Sequence, residues 1–219
     1  MTDADMGNWS YTYDALSNLK TQTDARGCIL TMTYDQLSRL DTKTSSGGCG
    51  QQISVNYDYD GVLNGIGRRT SMTDSSGSTS WTYDTRGRLL SESKTITDAG
   101  TFNTSWVYNA AGLPKSMTYP VDNGTVETVF INYNDQMLPE SIGSLIGSYA
   151  SSMQYDPAGR MTHLTRGDDL LDTAYQYYPW DTEGGRLQSL TSTKLSNQTS
   201  LQNLAYTYDL TGNISTITD

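Results

Sequence analysis

The chain has 219 residues and a formal net charge of -10 at pH 7, with 14 Lys plus Arg residues against 24 Asp plus Glu. This balance argues against the basic surface that nucleic-acid-binding proteins use. No apolar run approaches the roughly 20 residues of a membrane-spanning helix, and nothing at the N-terminus resembles a signal peptide.

The composition is poor in aliphatic residues but rich in residues that favour strands. Leu, Ile, Val and Phe make up about 17% of the chain, a share typical of disordered proteins. Against this stand 16 Tyr, 4 Trp and a high content of Thr, all of which favour β-strands. We therefore expect a folded all-β protein whose sheet is wet on much of both faces.

A tyrosine-centred unit recurs along the whole chain. Its anchors are Tyr13, Tyr34, Tyr59, Tyr83, Tyr108, Tyr133, Tyr155, Tyr177 and Tyr208, with successive gaps of 21, 25, 24, 25, 25, 22, 22 and 31 residues. Internal periods of this length indicate a repeat architecture. The spacing predicts a single array of about nine repeats over residues 1–219.

The unit at 79–97 shows the predicted local structure. The stretch "TSWTY" alternates polar and aromatic residues, which is the period of a strand. "DTRG" at 84–87 fits a type I turn with Asp first and Gly accepting a positive φ, and "RLLSESKTIT" forms the return strand. Further turns at 24–27, 74–77, 98–100 and 122–124 complete an antiparallel meander of hairpins without a convincing helix.

Some repeats depart from this pattern. Ser17 and Ser38 stand where Gly is expected, so their turns must accept a positive φ or adopt another geometry. Asn109 and Asn134 replace Asp, a mild change because Asn makes the same turn bond. We expect irregular loops near 139–152, which is rich in Gly and Ser, and near 178–185, which contains Pro179.

Rows of side chains should cross such a sheet. The tyrosines would supply apolar area while their hydroxyls stay hydrated. The more buried face is predicted to carry Leu19, Leu40, Leu89, Leu113, Leu138, Leu187 and Ile214. A ribbon of roughly 18 strands should twist and curl, and its bare edges could pair with a second copy.

The two cysteines, Cys28 and Cys49, are 21 residues apart, the same spacing as the first two anchor tyrosines. Comparable places in successive hairpins lie about 9–10 Å apart, whereas a disulfide needs Cα atoms within about 7 Å. The spacing favours free thiols, although the "SSGGCG" loop leaves the disulfide open.

The repeat resembles the YD repeat of the Rhs family, which also occurs in the C component of insecticidal Tc toxins and in teneurins. The residues that carry this likeness are Tyr13, Asp14, Tyr34, Asp35, Tyr59, Asp60, Tyr83, Asp84, Gly87, Arg88, Leu89, Tyr108, Gly112, Tyr133, Tyr155, Asp156, Gly159, Arg160, Tyr208, Asp209 and Gly212. The resemblance implies a curved, spiralling sheet that forms part of a hollow shell. In bacterial members of the family such a shell encloses a C-terminal toxin.

Candidate chemistry is sparse. His163 is the single histidine and is predicted to be a sheet residue. Asp168 and Asp169 are predicted to form a turn. The repeated aspartates are predicted to cap the backbone of their turns and not to bind calcium. "DPAG" at 156–159 is followed by Arg160, so it is an ordinary repeat and not the cleavage motif that closes bacterial shells. We predict no catalytic, metal or cofactor site.

Two functions remain open. The first is a non-catalytic scaffold that encloses a toxin or effector, whose partners would be the remainder of a larger, secreted or cell-surface bacterial polypeptide and the enclosed domain. The alternative is a carbohydrate-binding or adhesion module that presents exposed aromatics to a glycan. Rings packed against neighbouring repeats would favour the scaffold.

Overall fold

The computed structural model describes residues 1–122 and 124–219. They form two compact units, Met1–Trp106 and Val107–Asp219. None of the helical segments in these residues has the length and apolar character needed to cross a membrane.

The first unit is built from strands alone. A small hairpin of two-residue strands, β1 and β2, precedes a meander that runs to β11, the strand within which the first unit ends. The strands are β1 (Thr2–Asp3), β2 (Gly7–Asn8), β3 (Ser10–Tyr13), β4 (Leu19–Thr23), β5 (Cys28–Tyr34), β6 (Leu40–Gly47), β7 (Ser54–Tyr59), β8 (Arg69–Asp74), β9 (Gly77–Tyr83), β10 (Leu89–Ile96) and β11 (Gly100–Tyr108). Each strand from β3 to β10 pairs antiparallel with the next one in sequence.

The second unit continues the same pattern. Its elements are β12 (Pro114–Thr118), β13 (Thr128–Tyr133), β14 (Pro139–Gly143), β15 (Ser148–Tyr155), β16 (Met161–Arg166), β17 (Leu171–Tyr177), α1 (Trp180–Glu183), β18 (Leu187–Lys194), β19 (Thr199–Tyr208) and β20 (Ile214–Thr218). Consecutive strands from β12 to β20 are antiparallel neighbours. The all-β meander of hairpins is confirmed.

The Tyr-Asp turn has the predicted geometry. At β9–β10 the N–H of Gly87 donates to the carbonyl of Asp84 at 2.9 Å, and Gly87 has φ +76°. The Asp84 carboxylate accepts the N–H groups of Arg86 and Arg88 at 2.8 and 2.9 Å. Because Tyr83 pairs with Leu89 and Thr82 with Ser91, a bulge follows the turn. This is a type I turn closed by a left-handed residue and a bulge.

Three repeats place a residue other than Gly at the left-handed position. Ser17 and Ser38 have φ of 68° and 59°, so these turns keep the standard geometry and accept the strain. Met137, whose departure from the pattern the sequence reading missed, has φ 62° and is 52% exposed. The turn hydrogen bonds therefore outweigh the cost of a positive φ at these positions.

The interior is made of small and polar side chains. The buried polar residues include Thr70, Thr79, Ser116, Thr173 and Ser192, and the buried apolar ones are Ala150 and Met153. Thr173 is 1% exposed, and its hydroxyl lies 3.0 Å from that of Ser192. The leucines that were expected to form the more buried face are half-buried, and Ile214 is 53% exposed. Short hydroxyl-bearing residues allow a sheet of this kind to pack with few aliphatics.

Two segments differ from the expected loops. Residues 139–152, expected to be irregular, contain β14 and most of β15, and the turn between them closes through an N–H of Ser144 that donates to the carbonyl of Gly147. Residues 178–185 hold the one-turn helix α1, whose last residue is followed by Gly184 at φ 62°. The Gly and Ser content of the first segment reflects small residues within strands, not a loop.

Cys28 and Cys49 form a disulfide, so the expectation of free thiols is wrong. Their Cα atoms are 4.4 Å apart. Cys28 begins β5 and pairs with Gly47 at the end of the neighbouring strand β6, so Cys49, two residues after Gly47, is not separated from Cys28 by two strand spacings. The extra residues of the β6–β7 connection fold back over the preceding turn and bring the sulfurs together.

Replacing Met137 with Gly should stabilise the protein. A left-handed conformation costs a residue with a Cβ about 1 kcal/mol, and the exposed Met137 side chain contributes little burial. We expect the free energy of unfolding, measured by urea denaturation and circular dichroism, to rise by up to about 1 kcal/mol. The neighbouring substitution Gln136→Gly removes no positive φ and should lower stability; equal effects of the two would contradict the strain.

Candidate functional site: a ladder between neighbouring repeats

The anchor tyrosines bind the backbone of the preceding repeat. The hydroxyls of seven of the nine anchor tyrosines donate to the carbonyl of the first residue of the preceding repeat's return strand. The pairs are Tyr34–Leu19 (2.8 Å), Tyr59–Leu40 (2.9 Å), Tyr83–Arg69 (2.5 Å), Tyr133–Pro114 (2.7 Å), Tyr155–Pro139 (2.8 Å), Tyr177–Met161 (2.7 Å) and Tyr208–Leu187 (2.9 Å). We call this set the tyrosine ladder. The hydroxyls are therefore bonded within the sheet, and the expectation that they stay hydrated is wrong.

The accepting carbonyls lie just beyond the end of backbone pairing between repeats. Pairing of β4 with β5 begins at Thr21, two residues after Leu19, and pairing of β16 with β17 begins at His163, two residues after Met161. The strands of adjacent repeats separate there, so the carbonyl has no backbone donor opposite. A phenol reaching across the gap supplies the donor that a half-buried carbonyl needs.

The tyrosine hydroxyls are shielded from water. Burial raises the pKa of Tyr133 and Tyr155 above its ordinary value, and desolvation does the same for Tyr177 against the opposing charge of Arg160. The phenols therefore stay protonated and keep donating over the whole physiological pH range.

Arginines from the preceding repeat cover the tyrosine rings. The guanidinium carbon of Arg39 lies 4.3 Å from the centre of the Tyr59 ring, and that of Arg160 lies 4.3 Å from Tyr177. Similar contacts join Arg68 to Tyr83 at 5.6 Å and Arg186 to Tyr208 at 5.3 Å. These distances are those of cation–π contacts.

Two of these arginines, Arg39 and Arg160, are held by aspartates of the turns. Arg160 pairs with Asp156 of its own turn at 2.6 Å, donates to the carbonyl of Gly185 at 2.6 Å, and also stacks on Trp180 at 4.6 Å. Arg39 bridges Asp35 of its own turn and Asp60 of the next one, both at 2.7 Å. Both arginines thus join one turn to the next.

Gly87 contributes to the contact between repeats as well as to its own turn. The Arg68 side chain crosses Gly87 and donates to its carbonyl at 2.9 Å, and a Cβ on Gly87 would overlap the guanidinium. Glycine is therefore required here both for its positive φ and for the close approach of the neighbouring repeat.

Four repeats lack the arginine: Asn18 and Asn213 occupy its position in two of them, and Leu occupies it in the other two. Leu113 and Leu138 occupy its position after the left-handed residue, and Pro114 and Pro139 occupy the place of the following leucine. The sequence prediction that grouped Leu113 and Leu138 with the leucines of the more buried face was therefore wrong by one position in these two repeats. The tyrosine ladder persists there, because Tyr133 and Tyr155 bond the proline carbonyls.

Other turns of the array have the same geometry. Gly112, Gly159 and Gly212 have φ between 79° and 92° and each donates its N–H to the first residue of its turn. Asp14 accepts the N–H groups of Leu16 and Asn18. Tyr13 ends β3 and is 60% exposed, and Tyr108 ends β11.

The sequence held one further signal that the analysis missed. In several repeats the residue before the anchor tyrosine is Thr, and its hydroxyl faces that of a Thr two positions after the first residue of the return strand. The hydroxyl oxygens are 2.6 Å apart in the pair Thr12–Thr21 and 2.7 Å apart in Thr33–Thr42. Thr207 and Thr216 repeat this arrangement at 2.6 Å. A signature extended by these hydroxyl positions would have revealed the cross-strand pairing directly.

The side chains considered for catalysis or metal binding lie apart. His163 is about half exposed and lies 3.5 Å from Asp172 across the β16–β17 pair. Asp168 and Asp169 form the left-handed turn between these strands, where their carboxylates bond Ser148 and Ser151. Within the described ranges, no three His, Cys, Asp or Glu side chains are grouped as a metal would require.

The repeat is recognised by comparison with known families. A family model described as RHS Repeat matches residues 64–95, which include the Tyr83-Asp84 turn and the strands on either side of it. Residues 64–95 of this chain therefore match the RHS repeat. A search of curated proteins found no match.

The fold is similar to that of solved Tc toxin structures. The crystal structure of TcdB2-TccC3-Cdc42 matches 99% of this chain with a TM-score of 0.81 and 20% identity. The Photorhabdus luminescens Tc holotoxin pore matches 99% with a TM-score of 0.79 and 19% identity. This chain spans 12% and 11% of the length of those chains.

Removing one rung of the tyrosine ladder should destabilise the fold. Tyr34→Phe leaves the Leu19 carbonyl without its donor, and we expect the free energy of unfolding to fall by about 1 kcal/mol in urea denaturation. Tyr13→Phe is the matched control, because the Tyr13 hydroxyl makes no hydrogen bond within the part of the chain that the structure describes. A loss in the control as large as in Tyr34→Phe would contradict the ladder.

The turn aspartates should make stability depend on acid pH. Hydrogen bonds from the Thr211 hydroxyl and the Asn213 N–H lower the pKa of Asp209 from 3.8 to about 2, and the Arg160 N–H lowers that of Asp156. A lowered folded-state pKa adds stability above the unfolded value that is lost as pH falls through the folded value. We therefore expect the melting temperature to decrease between pH 4 and pH 2.

A reciprocal pair of variants tests this assignment. Asp209→Asn keeps the turn acceptor but cannot be protonated, so it should flatten the decrease between pH 4 and pH 2. Asn134→Asp, which places a carboxylate where Asn134 already accepts two turn N–H groups, should steepen it. Melting curves that respond identically in both variants would exclude the turn carboxylates as the source.

Proposed function

We propose that the chain is a non-catalytic scaffold, a segment of a β-shell that encloses a toxin or effector domain. The observation that carries this proposal is the ladder between repeats. Its tyrosines, arginines and aspartates, which are the side chains best suited to chemistry or ligand binding, hold one hairpin to the next. A structure of this kind acts as a wall.

The likeness to Tc toxin structures supports this assignment. One matching structure is TcdB2-TccC3 without its hypervariable C-terminal region, and it covers 99% of the chain at 20% identity. We infer that the partners of this chain are the remainder of a longer RHS-repeat polypeptide and an enclosed domain, and that the whole is a secreted or cell-surface bacterial toxin-type protein.

The repeat tyrosines do not favour the carbohydrate-binding alternative. A sugar ring needs an open aromatic face on which to stack, whereas guanidinium groups lie over the rings of Tyr59, Tyr177 and Tyr208. Self-association through strand edges stays a prediction that light scattering at high concentration would test.

Protease protection of the enclosed domain tests the scaffold function. The complete reading frame that contains this chain is expressed, and its non-repeat domain is digested with trypsin in parallel with the same domain expressed alone. We expect the domain to survive within the intact protein at protease concentrations that degrade it when free, because the sheet excludes the protease.

Variants link that protection to the ladder. Tyr177→Phe combined with Arg160→Ala removes one rung and should shorten the lifetime of the enclosed domain, whereas Tyr13→Phe should leave it unchanged. Equal digestion of the free and the enclosed domain would overturn the proposal. A reading frame that encodes nothing beyond repeats would overturn it as well.

A further inference from the structure

The Cys28–Cys49 disulfide joins two neighbouring repeats at the ends of the strands opposite the Tyr-Asp turns. Cys28 follows the turn at 24–27 between β4 and β5, and Cys49 lies in the connection between β6 and β7. These two segments are the second turns of successive repeats. The bridge is therefore a covalent counterpart, at these strand ends, of the tyrosine ladder at the opposite ends.

The two segments approach each other closely. The N–H of Gly48 donates to the carbonyl of Gly27 at 2.9 Å, and a Cβ on Gly48 would overlap the carbonyl oxygen of Arg26. The turn itself is held by Asp24, whose carboxylate accepts the Cys28 N–H at 2.9 Å. One side of the contact is thus a fixed turn, and the other is a glycine-rich connection laid against it.

Two hydrogen bonds close the connection between β6 and β7 where it leaves and re-enters the sheet, whereas fewer contacts hold the residues between these points. The N–H of Ser45 donates to the carbonyl of Ile53 at 2.9 Å, and the Ile53 N–H donates to the Ser45 hydroxyl at 2.6 Å. Residues 50–53 are exposed, and neither cysteine is buried. Below these hydrogen bonds, β5 and β6 are paired from Cys28–Gly47 to Tyr34–Leu40, independently of the bridge.

We propose that this disulfide is a redox clasp: when it is reduced, residues 48–52 detach from the turn at 24–27 while the sheet stays folded. The reductant is a small thiol such as glutathione. One thiolate attacks a bridge sulfur and forms a mixed disulfide, and the other cysteine leaves as a thiolate that takes up a proton. A second thiol resolves the mixed disulfide, so two electrons and two protons pass to the protein and one glutathione disulfide is released.

Local opening follows from how the bonds are distributed. The bridge and the Gly48–Gly27 hydrogen bond hold residues 48–52, whereas continuous backbone pairing holds β5 and β6. Weakly held segments exchange and open independently of paired strands. The clasp thus sets the mobility at these strand ends according to its redox surroundings, and this inference does not depend on what the sheet encloses.

Hydrogen–deuterium exchange on the intact chain tests the clasp. Amides of residues 48–52 are compared with those of β5 and β6 in the air-oxidised protein and after incubation with reduced glutathione. We expect exchange in residues 48–52 to become at least about tenfold faster on reduction, while exchange in the two strands changes by less than about twofold.

Cys49→Ser is the matched control. Its residues 48–52 should exchange as fast as those of the reduced protein, with or without glutathione. Failure of the bridge to form in air, resistance to glutathione under native conditions, or unchanged exchange after reduction would each overturn the proposal. Faster exchange throughout both strands would overturn it too, because the bridge would then hold the sheet and not the connection.

Discussion

The structure depends on one constraint: the carbonyl that follows each bulge has no backbone donor in the next repeat. The bulge after the Tyr-Asp turn shifts the register, and backbone pairing with the following strand starts two residues later, as at Leu19 and Met161. A buried or half-buried carbonyl must find a partner. The phenol of the next anchor tyrosine supplies it, which is why the repeat requires Tyr and why Phe would not replace it.

The turn chemistry was readable from the sequence because it is local. Asp84 and Gly87 lie within four residues of each other, and their roles follow from side-chain hydrogen bonding and from positive φ. The tyrosine ladder was not readable in the same way. Its two ends, such as Tyr155 and Pro139, belong to different repeats, and the hydroxyl finds its acceptor only once the bulge has fixed the register.

Two errors of the sequence prediction have different causes. The free thiols were predicted from a uniform period, but Cys28 precedes its anchor Tyr34 by 6 residues, whereas Cys49 precedes Tyr59 by 10, so the two cysteines are not equivalent. The four additional residues form the connection that folds back and permits the bridge. The segment 139–152 was predicted to be irregular from its Gly and Ser content, although this fold buries small polar residues such as Ser116 and Ser192 within strands.

The tyrosine hydrogen bond and the arginine contact place different demands on the sequence, and this difference explains how the repeats can vary. The hydroxyl bond is made to a backbone carbonyl, so it tolerates any residue at the accepting position, and Leu, Arg, Met and Pro all occur there. The arginine contact needs a specific side chain, and it is absent where Leu113 and Leu138 stand. A repeat can therefore lose its arginine and still join its neighbour through the tyrosine hydrogen bond. Because the stability of a repeat array depends on contacts between adjacent units, the array stays connected when side chains outside the tyrosine ladder differ between repeats.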